Sequence, residues 1–262
     1  MILFLVYMIV GAFAGLIAGL LGIGGGIIII PCLAVLLPYE GVTTYSMHIA
    51  VATSLAITVF TSLSAVRSHL KRNTIRFDVF KPMVLSLLFG GVLGAVAASF
   101  VSGRVLQIIF GCFALVLAAK MGFGFNPKTH LAIPGRFVLS LVGLTLSTLG
   151  AFIGVSGGVF LVPFFTHCNI PIKQAVSTSA ACTLPITFAG SVSFLIMGLH
   201  QAGLPHFSIG FIFLPALIGI ASMSMIFAPM SARLSARLPS FILTRAFAVL
   251  LVFVSADMLF VN

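Results

Sequence analysis

The 262-residue sequence has only three acidic residues, no tryptophan and 6% charged residues in all. A soluble domain of this length needs far more polar surface to cover its core, so a soluble enzyme or regulatory module is excluded. Inside the apolar runs the one carboxylate is Asp257, near the end of the last of them. That scarcity speaks against a carboxylate proton relay and against a cation-binding site. The four cysteines, Cys32, Cys112, Cys168 and Cys182, lie singly in apolar stretches without Cys-x-x-Cys spacing. They read as small buried hydrophobes, neither disulfide partners nor metal ligands, and no cofactor is expected.

What is present is apolar: 61% hydrophobic residues and a mean hydropathy of +1.30. The runs are long and continuous, so the fold class is an all-α integral membrane protein in contact with the lipid bilayer. The formal charge of +10 would suggest nucleic acid in a soluble chain. Here it is read as short cytoplasmic loops, with no nucleic-acid partner. Residues 1–21 resemble the apolar part of a signal peptide but lack a basic lead, and their counterpart in the second half is internal. They are therefore read as part of the mature fold.

Two interruptions organise the runs. The first is Gly22-Ile23-Gly24-Gly25-Gly26, followed by Ile27 to Ile30 and Pro31; the second is Gly154-Val155-Ser156-Gly157-Gly158, followed by Val159 to Val162 and Pro163. Four glycines in five residues at the first make continuous helix improbable there. The repetition extends further, since Ala50-Val51-Ala52-Thr53-Ser54 reappears as Ala175-Val176-Ser177-Thr178-Ser179, and Ser102-Gly103-Arg104 is answered by Ser231-Ala232-Arg233. The apolar segments are 2–21, 27–37, 45–66, 79–100 and 105–122, then 137–153, 159–166, 174–198, 207–228 and 240–260. This gives a first membrane repeat at 1–122, a cytoplasmic linker at 123–136 and a second repeat at 137–262.

Charge decides how the broken segments run. If each crosses the membrane once, Lys and Arg divide between the two sides. If each is a re-entrant hairpin, every Lys and Arg but Arg104 falls on one side, which fits the positive-inside rule. Three crossings per half are odd, so the second repeat is inverted, with both termini, Glu40 and Asp257 outside. The length of 2–21, about 30 Å as helix, is long for a hairpin leg.

A helix that begins inside the membrane leaves its first N–H groups without partners and its positive dipole end exposed. Glycine lets a ligand approach that backbone, so the pattern points to a small anion held at the midplane by Gly24, Gly25, Gly26, Ser156, Gly157 and Gly158. Thr53, Ser54, Thr178 and Ser179 are expected to donate hydroxyl hydrogen bonds without the cost of burying a cation. The plainer readings are tight helix packing for the glycines and self-capping for the hydroxyls. Recurrence at matched positions favours a site. His48 and Lys173 occupy equivalent places and are expected at opposite mouths of an access path.

The two broken motifs and the two Ala-Val-(Ala/Ser)-Thr-Ser pieces resemble the sulfite exporter family TauE/SafE over essentially the whole chain. The resemblance implies a transporter of small sulfur-containing anions such as sulfite, thiosulfate or short sulfonates, in a bacterial inner membrane. A channel using the same site is the alternative within membrane transport. A rival of another class comes from Gly154-Val155-Ser156-Gly157, which matches the Gly-x-Ser-Gly signature of rhomboid intramembrane proteases. A serine nucleophile needs a base within hydrogen-bond reach. His167, His200 and His206 are all expected near helix ends, and the first repeat carries Gly24 at the place of the serine, so no enzyme activity is expected.

Overall fold

The computed structural model describes residues 2–21, 25–42, 44–123, 132–201, 203–234 and 240–260. Its helices in order are α1 (Ile2–Leu21), α2 (Gly26–Leu36), α3 (Ser46–Leu70), α4 (Phe77–Ser99), α5 (Gly103–Phe123), α6 (Arg136–Ile153), α7 (Gly158–His167), α8 (Ile172–Gly198), α9 (Leu214–Leu234) and α10 (Ser240–Phe260). A 3-10 turn, Leu37–Glu40, follows α2, and a two-residue antiparallel pair, β1 (Ser208–Ile209) and β2 (Ile212–Phe213), precedes α9. The protein is an all-α integral membrane protein. Among the described residues, α3, α4, α5, α6, α8 and α9 are long and apolar enough to span a bilayer. Leu85, Phe89, Val116, Phe137, Ile218 and Phe253 are exposed, as a lipid-facing surface requires.

The helical runs follow the sequence except at 207–228. There Gly210 takes a left-handed backbone at φ +55 and turns the apolar run into the β1–β2 hairpin, so the helix starts only at Leu214. Hydrophobicity alone does not distinguish a buried hairpin from the first turns of a helix.

The packing exchanges elements between the halves. α1 lies against α9, and α4 lies against α6 and α8. Each exchange uses glycines four apart on one helix face. On α1, Gly11 abuts the Ile220 carbonyl, and a Cβ on Gly15 would sit 2.7 Å from Ser224 Cα. On α4, Gly90 abuts Ser147, and Gly94 abuts the Thr148 carbonyl. Small residues at this spacing let helix backbones approach closely where lipid provides no hydrophobic drive. The rising numbers on both partners make each pair parallel.

Two ends of the bundle follow from these contacts. The Arg76 N–H donates to Thr178 and the Ser140 hydroxyl to the Pro82 carbonyl, so α4, α6 and α8 all begin at one end. The basic residues Lys71, Arg72, Arg76, Arg136 and Lys173 belong to that end. At the other end lie the starts of α3 and α5, where His48 meets Val101 and Gly103, with Glu40 and Arg104 nearby in the chain.

Candidate functional site

The second break is built by the end of α6. Gly154 adopts φ +80, which a residue with a Cβ enters only with strain, and the Val155 N–H returns to the Gly150 carbonyl at 2.9 Å. The chain reverses here: a Cβ on Gly150 would sit 3.2 Å from the Val155 carbonyl oxygen and 3.8 Å from the Gly157 nitrogen. α7 then starts afresh, with the Leu161 N–H donating to the Gly157 carbonyl at 2.8 Å. The first break ends the same way, with the Ile28 and Ile29 N–H groups both reaching the Gly25 carbonyl at 3.0 Å. The N–H groups of Gly26, Ile27 and Gly158 precede the first intrahelical bonds. Pro31 and Pro163 each fall at the sixth position of their short helix, where each removes one further donor.

The two breaks meet. A Cβ on Gly26 would lie 3.0 Å from the Gly154 carbonyl oxygen, 3.1 Å from Ser54 Oγ and 3.4 Å from Val155 Cα. The Ser54 hydroxyl donates to the Gly154 carbonyl at 3.3 Å, tying the first half's hydroxyl motif to the second half's break. Gly25, Gly26, Ser54, Ser156, Gly157, Gly158 and Ser179 are all buried. Gly24 lies outside the described residues. Ser179, equivalent to Ser54, is fully buried, and its hydroxyl has no hydrogen-bond partner among the described residues.

The threonines beside these serines take a different part. The Phe213 N–H donates to Thr53 Oγ1 at 3.0 Å, and the Arg76 N–H donates to Thr178 Oγ1 at 3.0 Å. Phe213 and Arg76 are the residues immediately before α9 and α4, so each threonine caps a helix of the opposite half. Their hydroxyl protons are not committed by these bonds.

Sequence reasoning passed over a third matched pair. Thr58 donates to the Ser54 carbonyl at 2.8 Å and Thr183 to the Ser179 carbonyl at 3.0 Å. The same 125-residue offset that aligns Thr53 with Thr178 aligns these two, and was the available signal.

His48 and Lys173 stand at the starts of α3 and α8, at opposite ends of the bundle. His48 is buried, its Nε2 2.9 Å from the Val101 carbonyl and its ring stacked on Phe211 at 5.5 Å. Because a carbonyl only accepts, Nε2 carries the proton in that bond. Lys173 is exposed, and its carbonyl accepts from Ser177 at 2.7 Å. His167 ends α7, nine residues beyond Gly158 and therefore about 13 Å along the axis from the break that holds Ser156. His200 and His206 lie between α8 and β1.

Chemically, the buried junction offers helix N-termini, glycine backbone and hydroxyls. Among the described residues it contains no cluster of His, Cys, Asp and Glu able to hold a metal. No solved structure matches the chain. A relative from Haemophilus influenzae described as a probable membrane transporter protein is 32% identical over 257 residues, 97% of each chain. A second so described, from Methanocaldococcus jannaschii, is 27% identical over 223 residues, covering 81% of this chain and 79% of its own. One from Bacillus subtilis is 26% identical over 219 residues, 74% of this chain and 79% of its own. These names are those of transporters, not enzymes. The family model for the sulfite exporter TauE/SafE matches residues 7–258, and the chain belongs to that family of membrane transporters.

Proposed function

We propose that the protein exports a small sulfur-containing oxyanion, such as sulfite, thiosulfate or a short sulfonate, by alternating access around the junction of the two breaks. The observation that carries this reading is the meeting of Gly26 with Gly154 and Val155 beside Ser54, with the buried Ser179 hydroxyl unpartnered. An unpartnered buried hydroxyl loses about 1–3 kcal/mol of solvation, and a bound anion would restore it. The anion is held by the N–H groups that open α2 and α7, with Ser156 and Ser179 donating, Ser54 turning its one proton from the Gly154 carbonyl to the anion, and the protons of Thr53 and Thr178 as outlying donors. Gly24, Gly25, Gly26, Gly157 and Gly158 let it reach the backbone.

The halves are read as inverted repeats, each a re-entrant hairpin and three crossings, with 123–136 as the linker. In support, α6 and α8 begin at the same end, and the reversal at Gly150–Gly157 lets α7 return there. The basic end is read as cytoplasmic in a bacterial inner membrane, with both termini outside. An anion leaving an inside-negative cell gains about 2.3 kcal/mol per charge per 100 mV. The residues proposed for the site are buried, with Ser54 and Ser179 at 0% exposure and Ser156 at 1%, which favours a closed site reached by movement over an open channel.

The test is a thermal-shift series on purified protein with sulfite, thiosulfate, sulfate, sulfonates and small carboxylates, followed by proteoliposome flux. Stabilisation by sulfur oxyanions with saturable flux is expected. Ohmic, unsaturable flux would sink the transporter reading.

A further inference from the structure

Thr53 sits one residue before Ser54 of the junction and Thr178 one residue before its buried counterpart Ser179, yet each holds something else. Successive residues on a helix point about 100° apart, so one helix turns a serine and a threonine toward different neighbours. For Thr53 that segment is Phe211–Phe213, part of the hairpin between α8 and α9; for Thr178 it is Thr74–Arg76, between α3 and α4. The two segments are at opposite ends of the bundle. Both fold inward, since Phe211, Ile212, Phe213 and Ile75 are buried.

The two segments are finished differently. Phe211 packs on His48, Tyr45 and Phe194, and Phe213 packs edge-on to Tyr7. Around this aromatic plug Tyr45 donates to Gln201 at 3.0 Å and His48 Nε2 to the Val101 carbonyl at 2.9 Å, but the Tyr7 hydroxyl, His48 Nδ1 and the Ser208 hydroxyl are buried without partners among the described residues. Each stranded group weighs against the closed arrangement. At the other end the polar groups are paired: His69 Nδ1 with Ser177 at 3.0 Å, Thr74 with the His69 carbonyl at 3.4 Å, and Arg76 Nε with Asp78 at 2.8 Å. The Phe213–Thr53 bond therefore holds a plug whose own polar groups favour release.

We infer that Phe211–Phe213 and Thr74–Arg76 are the two gates of the transport path, and that Thr53 and Thr178 are the positioning residues that pin them shut, each through one hydrogen bond to a backbone N–H. Each pin crosses between the halves, so the helix bearing one half's serine holds the gate that precedes the other half's α4 or α9. Movement of α3 or α8 when Ser54 or Ser179 engages an anion then strains the pin on the next residue. This rests on the alternating-access reading.

The test is side-specific thiol labelling in liposomes. The full chain carries alanine in place of its four cysteines and one reporter, Ser208→Cys or Ser177→Cys. Ser208 has a buried hydroxyl with no partner to lose; Ser177 is buried and its hydroxyl pairs with His69 and the Lys173 carbonyl, so each rate is read against the same reporter with both threonines intact. Thr53→Val should raise reaction of the position-208 reporter with a membrane-impermeant maleimide about tenfold and leave position 177 unchanged. Thr178→Val should do the reverse, and Thr53→Ser and Thr178→Ser should restore parent rates. Arg76→Pro gives an independent route, because φ −82 at Arg76 suits proline, which has no N–H to donate. It should match Thr178→Val, whereas Arg76→Ala should match the parent. Equal acceleration of both reporters, or Ser variants that label like Val variants, would show a merely structural role and overturn the proposal. Labelling needs no substrate, so it is read separately from anion binding, whose failure would overturn the junction as a site and not the gates.

Discussion

Ser54 donates to the Gly154 carbonyl across a hundred residues of chain, while its counterpart Ser179 is fully buried with no partner among the described residues. One serine therefore supports the meeting of the two breaks, and the other is held ready for something else. Ser54→Ala should lower the melting temperature, because a buried carbonyl loses its donor at about 1–3 kcal/mol. Circular dichroism melts in detergent check it; an unchanged midpoint would mean the bond contributes nothing.

Gly26→Ala would place a Cβ 3.0 Å from the Gly154 oxygen and 3.1 Å from Ser54 Oγ. The first neighbour is backbone and gives little, so the breaks should be pushed apart at about 1–3 kcal/mol. Anion affinity should fall at least about tenfold if the junction is the site. Calorimetric titration with thiosulfate measures this, and undiminished affinity would move the site elsewhere.

Ser156 stands where the first repeat has Gly24, so it is an added donor and not an essential one. Ser156→Ala should keep saturable flux with affinity weakened about two- to tenfold, the worth of one hydrogen bond. A variant that transported normally would also leave a nucleophilic role for this serine without support.

The proposed orientation, with the basic end cytoplasmic, is tested at the loop ends. In right-side-out vesicles from a cysteine-free background, Glu40→Cys should react with an impermeant maleimide and Lys71→Cys should react only after permeabilisation. Equal reaction of the two would contradict a spanning α3, and Lys173→Cys tests the inversion: it should label like Lys71→Cys, whereas a single crossing by each broken segment would make it label like Glu40→Cys.

The breaks, the two hydroxyl motifs and the 125-residue offset were legible in the sequence because the same clusters recur in both halves: glycines packed into five residues ahead of a proline, and Thr-Ser after Ala-Val. The pairing of α1 with α9 and of α4 with α6 was not, since a repeat shows which segments are equivalent but not which copies pack together. Gly11/Gly15 and Gly90/Gly94 carried the signal, but glycine pairs are common in membrane helices. The hairpin at Ser208–Phe213 was hidden inside an apolar run. With it went the acceptor role of Thr53, whose donor Phe213 lies 160 residues away.

The most direct test of the account is Ser179→Ala, assayed twice on purified protein. Without ligand the variant should melt at or slightly above the parent temperature, since it removes a buried hydroxyl that lacks a partner. With sulfite or thiosulfate it should lose affinity about tenfold or more, as expected for a hydrogen bond to a charged ligand. Parent-like affinity in the variant would contradict the central claim that the two breaks and their serines form an anion site.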